Sequence, residues 1–309
     1  MAVRMMLLGA DGFVGEHVRA RFATEPDVEV TTVTRRGDVD ADVRLDLSES
    51  AVAVAHALRD AAPDIVVNCA GSTVGDPAAL AANNLVAAGN LVDAMLTAGR
   101  PLRLVHLGSV AEYGRIPGGD AVREDAPERP VTLYGISKLA ATHLVRAAAA
   151  AGLDAVALRV TTPVGPNAPS SMLAGRVVAQ LRQIGAERSG GITTGPLDDV
   201  RDYVDIRDVA DAVAAAALRP WGQAALPAVL NVGSGVATPT REMVDMLLAL
   251  AGYTGGLRTD GGGAHRETAM QWQHADITAV REALGWSPRR SLADALEALW
   301  QSSTALAPC

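Results

Sequence analysis

The sequence predicts an α/β protein: a doubly wound parallel sheet carrying a smaller, interleaved C-terminal lobe. Short apolar runs alternate with longer helical patterns through the first half of the chain, and three glycines, Gly9, Gly12 and Gly15, follow the first run as G-x-x-G-x-x-G. The runs at 3–8, 28–33, 65–67, 102–107 and 154–160 lack polar alternation, as strands covered on both faces of a parallel sheet must. Helical patterns at 13–23, 52–62, 85–98 and 134–151 supply the crossovers, and right-handed crossovers wind the sheet in both directions. With 309 residues, 49% of them hydrophobic, the chain can bury such a core without staples.

After residue 160 the pattern changes. Pro163, Pro166 and Pro169 interrupt it, and Gly190 and Gly191 mark a lobe change. Residues 209–218 and 230–232 read as a return to the sheet, whereas 240–251 and the helices from Ile277 onward read as second lobe. The expected division is a dinucleotide-binding domain over 1–165, with a return segment near 200–235, and a substrate lobe mainly over 166–309.

Composition narrows the class further. Cys69 and Cys309 match neither a disulfide framework nor a metal spacing, which fits a reducing, cytoplasmic setting. No apolar stretch reads as a span of the ~20 residues a membrane requires, so no membrane is expected. A net charge of −8 argues against nucleic acid. His17, His56, His106, His143, His265 and His274 lack partner spacing, so no metal is assigned.

The glycine loop is the first chemical signal. Glycines let the backbone approach a pyrophosphate, and the free N–H groups and positive end of the following helix face its charge. Asp11, inside the loop, would repel phosphate if it pointed inward, so it is expected to cap the helix. The second strand selects the cofactor, because NAD sites place an acid about 20 residues past the loop. Here the stretch reads Thr34, Arg35, Arg36. Two guanidiniums can pair with a 2′-phosphate and no carboxylate opposes it, so NADP(H) is preferred over NAD(H); a solvated surface pair is the plain alternative. Asp46 and Leu47 are candidates for the adenine, although a loop acid is nearly as good a reading of Asp46. The expected cofactor set also takes in Phe13, Val14 and Ala70.

Tyr134 and Lys138 lie four residues apart at the start of a helical stretch and share a face. A nearby ammonium stabilises tyrosinate, which would draw the phenol towards neutrality for proton exchange with a carbonyl or alcohol. Ser109, just past the fourth apolar run, would sit at the carboxyl edge of the sheet and hold the same oxygen.

Together these motifs resemble the extended short-chain dehydrogenase/reductase family of Rossmann enzymes, the epimerase and dehydratase relatives that act on nucleotide sugars. The resemblance covers nearly the whole chain. It rests on Gly9 to Gly15, Ser109 through Tyr113 and Gly114, Tyr134 to Lys138, and Leu158 and Arg159 with Pro163, Val164 and Gly165. It extends to Arg201, Asp202, Tyr203 and Asp208, to Asn231 and Gly235, and to Leu284, Gly285, Trp286 and Pro288.

The resemblance implies that Ser109, Tyr134 and Lys138 are catalytic, that Asn84 organises them and that Pro163 belongs to the cofactor site. It also implies that Arg201 and Arg266 grip a substrate diphosphate; an ion pair between lobes is the alternative for each. Thr73 and Thr162 complete the expected substrate set. Similar dehydratases carry Asp-Glu directly after the catalytic Ser or Thr, where this chain has Val110 and Ala111, so a 4,6-dehydratase is disfavoured.

The expected activity is NADPH-dependent reduction of a nucleotide-linked 4-keto-6-deoxysugar, as in the deoxysugar biosynthesis of antibiotics and other secondary metabolites. A 4-epimerase using bound NAD, and a reductase of a non-sugar ketone, are the alternatives. Small and apolar residues on more than one face of 85–98 and 134–151 could support a homodimer, or reflect burial within one chain.

Overall fold

A computed structural model describes residues 2–36, 41–116, 119–185, 190–260 and 272–303. Its centre is a seven-stranded sheet of β1 (Val3–Leu8), β2 (Val28–Thr34), β3 (Val43–Arg44), β4 (Ile65–Asn68), β5 (Arg103–Ser109), β6 (Asp154–Val160) and, after three strands of the second lobe, β10 (Val229–Val232). The order is β10-β6-β5-β4-β1-β2-β3 and every pairing is parallel.

Successive strand residues enter different cores. Met5, Leu7, Val105, Leu107, Val156 and Leu158 pack on one face, whereas Met6, Leu8, Val66, Leu104, Ala155 and Ala157 pack on the other. That two-sided burial is why the runs carry no polar alternation. The first face is covered by α1 (Phe13–Phe22), and the second by α2 (Ala51–Ala61) and by a composite helix. In the composite, α3 (Pro77–Leu80) passes through a π-helical turn (Ala81–Val86) into α4 (Ala87–Leu96). α5 (Leu133–Ala150) lies beside α4.

The composite helix spans Pro77–Leu96, 20 residues, and by length and composition it is apolar enough to cross a membrane, contrary to the sequence reading. Packing against α2 and α5 accounts for that apolarity.

The second lobe begins with β7 (Thr162–Val164) and α6 (Leu173–Ile184), followed by β8 (Ile192–Thr194) and β9 (Val200–Asp205). The chain then returns to the first core through α7 (Ile206–Ala217) and β10. It leaves again as β11 (Ala237–Pro239), α8 (Thr240–Leu250) and β12 (Leu257–Thr259), and ends in α9 (Thr278–Leu284) and α10 (Leu292–Ser302). β7, β9 and β11 form a small sheet, so the return to the main sheet starts at Ile206 and not near residue 200. α9 also departs from its expected lobe: Val280 and the adjacent Trp286 are buried in the first core, whereas Leu296 and Leu299 of α10 join the second.

The two lobes are pinned by buried acids. Asp202 on β9 accepts from the Ser234 N–H and hydroxyl, both at 2.7 Å, and from the Gly235 N–H at 3.1 Å. Asp208 on α7 accepts from the Arg289 and Arg290 N–H groups at 3.1 and 2.9 Å and pairs with the Arg290 guanidinium at 2.6 Å.

Candidate active site

All strands of the main sheet point the same way, so their carboxyl ends form one rim, where β1, β4 and β5 deliver Gly9, Cys69 and Ser109. Gly15 is the first turn of α1 against the loop: a Cβ there would lie 2.0 Å from the Gly9 carbonyl oxygen, so only glycine admits this approach. Gly12 occupies the N-cap with no side-chain cap, contrary to the capping expected of Asp11. Asp11 instead pairs with Arg36, its Oδ2 3.1 Å from Nε, because the end of β2 brings the guanidinium over the loop. The uncapped N–H groups of the first turn remain for an anion.

Two clefts run along this rim. One, of about 680 Å³ with its open mouth, is lined by Gly9, Asp11, Gly12, Arg35, Arg36, Asp46, Leu47 and Ala70, all expected, and by Leu45 and Asn83, which were not. Arg35 donates to Asn83 Oδ1 at 2.6 Å and lies 3.9 Å from Asp46. The Asp46 carboxyl is held below its ordinary range mainly by the Ser48 hydroxyl. Each arginine therefore faces an acid, and the expectation that no carboxylate opposes a 2′-phosphate is corrected: Asp11 is far away in sequence and reaches Arg36 only through the fold.

The second cleft, of about 1390 Å³ with its mouth, is lined by Gly12, Phe13, Val14, Ala70, Thr73, Asn84, Ser109, Tyr134, Lys138 and Pro163. Thr162 is not in the lining; its neighbours Thr161 and Pro163 are. Sequence reasoning also missed Cys69, Ser72, Ser171 and Met172 there. Cys69 is a single thiol that burial raises to about 12, so it is a packing group and not a nucleophile.

The Ser109, Tyr134 and Lys138 side chains converge because α5 starts directly against the turn after Ser109. Thr132 caps α5, accepting from the Gly135 N–H at 3.0 Å. A Cβ on Gly135 would meet the Ala111 carbonyl oxygen at 2.5 Å, so glycine permits the contact that brings Tyr134 to Ser109. Both side chains line the larger cleft. Asn84, in the π-helical turn, fixes the arrangement from behind: it accepts from the Ser72 N–H at 2.8 Å and donates to the Ser137 hydroxyl at 2.8 Å. Ser137 in turn donates to the Tyr134 carbonyl at 2.8 Å.

Beneath Ser109 lies a fully buried ion pair. Glu112 accepts from the Ser109 N–H at 2.8 Å, the Thr142 hydroxyl at 3.0 Å and Arg159 Nε at 2.6 Å. Arg159 also pairs with Glu128 and stacks 4.5 Å from the centre of the Tyr113 ring. Tyr113 donates to Asn231 at 2.7 Å.

Burial raises the Tyr134 phenol above its ordinary value; the nearby Ser109 side chain opposes this and the Glu112 charge adds to it. Burial lowers Lys138, against the pull of Glu112, and its Nζ donates to the Leu107 carbonyl. The sequence reading that Lys138 draws the phenol towards neutrality is therefore corrected for the protein alone: tyrosinate is desolvated and the ammonium is engaged by a backbone oxygen. In a spectrophotometric titration without cofactor, the tyrosinate signal lost in Tyr134→Phe should appear above the ordinary phenol range. A lost signal near neutral pH would contradict the burial argument.

Arg201 on β9 is not in either lining. Its guanidinium pairs with Asp199 just before β9, Nε to Oδ2 2.7 Å, and donates to Gln273, so its ion pair is local and not the expected one between lobes. Arg266 lies outside the described residues. Among the described residues no group of three or more His, Cys, Asp or Glu could hold a metal ion.

A glycine loop opening a helix beside β1, with a Ser, Tyr and Lys set at the end of β5, defines an NAD(P)-dependent oxidoreductase of the extended short-chain dehydrogenase/reductase type. The model of the NAD dependent epimerase/dehydratase family matches residues 5–233, and the chain belongs to that family. It is 36% identical over 316 residues to the dTDP-6-deoxy-L-talose 4-dehydrogenase (NAD(P)(+)) of Kitasatospora kifunensis, covering 97% of this chain and 96% of that one. It is 26% identical to the GDP-6-deoxy-D-mannose reductase of Pseudomonas aeruginosa over 98% of both chains. The Thermus thermophilus UDP-glucose 4-epimerase, solved in complex with NAD, superposes with a TM-score of 0.84 at 26% identity, over 99% of this chain and 100% of that one.

Proposed function

We propose that this chain is an NADPH-dependent reductase of a nucleotide-linked 4-keto-6-deoxysugar, acting in the cytoplasm. The observation that carries the reading is the convergence of Ser109, Tyr134 and Lys138 in the larger cleft, where burial keeps the phenol protonated and so ready to donate. The Kitasatospora and Pseudomonas relatives, by name a 4-dehydrogenase and a reductase of nucleotide-linked 6-deoxysugars, support the substrate class.

Gly12, Phe13, Val14, Ala70 and Pro163 would hold the nicotinamide half of the cofactor with Lys138, and Arg35, Arg36, Asp46 and Leu47 the adenosine half. When bound, that cofactor supplies the hydride. Tyr134 donates its phenolic proton to the substrate oxygen, Ser109 orients that oxygen, and Asn84 keeps the start of α5 in place through Ser137. Phe13, Val14 and Val160 line the cleft and limit water around the reacting carbon.

The test is NADPH consumption with a nucleotide-linked 4-keto-6-deoxyhexose, the unlinked ketose and an aromatic ketone in parallel. Consumption with the linked sugar alone supports the proposal. Interconversion of sugar hydroxyls without net consumption would favour a 4-epimerase, a reading that the 33% identity to the UDP-glucose 4-epimerase of Streptomyces lividans over 75% of this chain keeps in view. Equal consumption with the aromatic ketone would favour a non-sugar substrate, which the engagement of Arg201 by Asp199 would suit. If Arg201 instead turns from Asp199 to a substrate diphosphate, Arg201→Ala should raise KM for the linked sugar by about ten- to a hundredfold with kcat little changed, on the scale of a lost charge-assisted contact. Unchanged KM would leave Arg201 purely structural.

The proposal extends to a homodimer: Val86 and Leu96 of the composite helix and Leu133 and Ile136 of the neighbouring α5 remain exposed, as a second copy would require. Sedimentation at micromolar concentration decides this, a monomer removing the dimer from the proposal.

A further inference from the structure

We propose that Asp11 sets how far the chain discriminates between NADP(H) and NAD(H), by holding Arg36 in an ion pair that a 2′-phosphate has to break. This rests on the reading that the smaller cleft takes the adenosine end of a nicotinamide dinucleotide.

The two arginines of that cleft are not equivalent. Arg35 is shared between Asn83, at 2.6 Å, and Asp46, at 3.9 Å. Asp46 has its own donors, the Ser48 N–H at 2.8 Å and hydroxyl at 2.7 Å, so its hold on Arg35 is weak. Arg36 is committed, with Nε 3.1 Å from Asp11 Oδ2. The partners also differ in freedom: the Arg36 side chain is 63% exposed and the Asp11 side chain 13%. The acid is therefore fixed by the glycine loop while the base can swing.

With an unphosphorylated ribose, Arg36 can stay on Asp11 and cancel its charge next to the pyrophosphate loop. A 2′-phosphate, carrying between one and two negative charges at neutral pH, competes for the same guanidinium and meets an uncompensated carboxylate once it succeeds. Specificity is a difference of affinities, and here one acid lowers the gain on the phosphorylated side alone. The consequence is a chain that favours NADP(H) but retains NAD(H), with Asp11 as the residue that limits the ratio.

The experiment is calorimetric titration of the full chain with 2′-phosphoadenosine 5′-phosphate and adenosine 5′-phosphate, and with NADPH and NADH, for the unaltered protein, Asp11→Asn, Arg36→Gln and the double variant. Asn is nearly isosteric with Asp, and thermal melts confirm that each variant is folded. Asp11→Asn should tighten both 2′-phosphorylated ligands about three- to fivefold, the upper end for an exposed ion pair, and leave the others within about 1.5-fold. Arg36→Gln should weaken only the phosphorylated pair, and in its background most of the Asp11→Asn gain should vanish. An equal gain for all four ligands would place Asp11 on the pyrophosphate, and a full gain without Arg36 would reduce it to simple repulsion; either result overturns the proposal. Failure of the unaltered chain to bind any of the four would overturn the cofactor reading beneath it.

Discussion

Tyr134→Phe is expected to lower kcat for ketone reduction by roughly 10²- to 10⁴-fold, the range that a positioned general acid contributes. Cofactor affinity should change little. The substitution removes one oxygen from the floor of the cleft and leaves the ring, the Thr132 cap and the Asn84–Ser137 support of α5 in place. Because the lost interaction forms only as the proton moves, kcat and kcat/KM should fall together while KM holds. Stopped-flow measurement of NADPH oxidation, with binding titrations beside it, separates these terms. Near-normal turnover with normal binding would show that another group donates the proton.

The second large effect is on stability. Glu112→Ala should lower the unfolding free energy by about 3–5 kcal/mol, because it leaves the fully buried Arg159 cation with Glu128 alone. It also removes the acceptor of the Ser109 N–H and of the Thr142 hydroxyl. Urea unfolding of the variant measures the loss. Glu112→Gln, which retains an acceptor for Ser109, should lose less and keep more activity. Equal stability of Glu112→Ala and the unaltered chain would mean that Glu128 alone compensates the buried Arg159 cation.

Much of the architecture was legible in the sequence because its signals are local. A strand buried on two faces has to be apolar throughout, and β1 and β6 appear at the bounds those runs indicated, 3–8 and 154–160. Gly9, Gly12 and Gly15 announce a tight turn into a helix whatever lies elsewhere in the chain. Tyr134 and Lys138 share a helix face by spacing alone, and both line the cleft. The second lobe was harder to read. α6 went unnoticed after the prolines, and α9 was assigned to the wrong core, because an amphipathic helix carries no label for which apolar surface it will meet. The placement of Thr162 went astray for a related reason: the turn from β6 into β7 decides which residue faces the cleft, and a shift of one residue, to Thr161, reverses the face.

The sequence by itself determined the class of fold, the glycine loop into α1 and the Tyr134–Lys138 pair, since each depends on periodicity or on residues close together along the chain. Tertiary structure alone decided which charges meet. Asp11 was read as a cap and pairs with Arg36; Arg201 donates to Gln273, 72 residues on; Glu112, given no role of its own, accepts from the Ser109 N–H and pairs with Arg159. Coulomb and hydrogen-bond energies depend on distances in space, and these partners are set by strands and loops that only the packed sheet brings together.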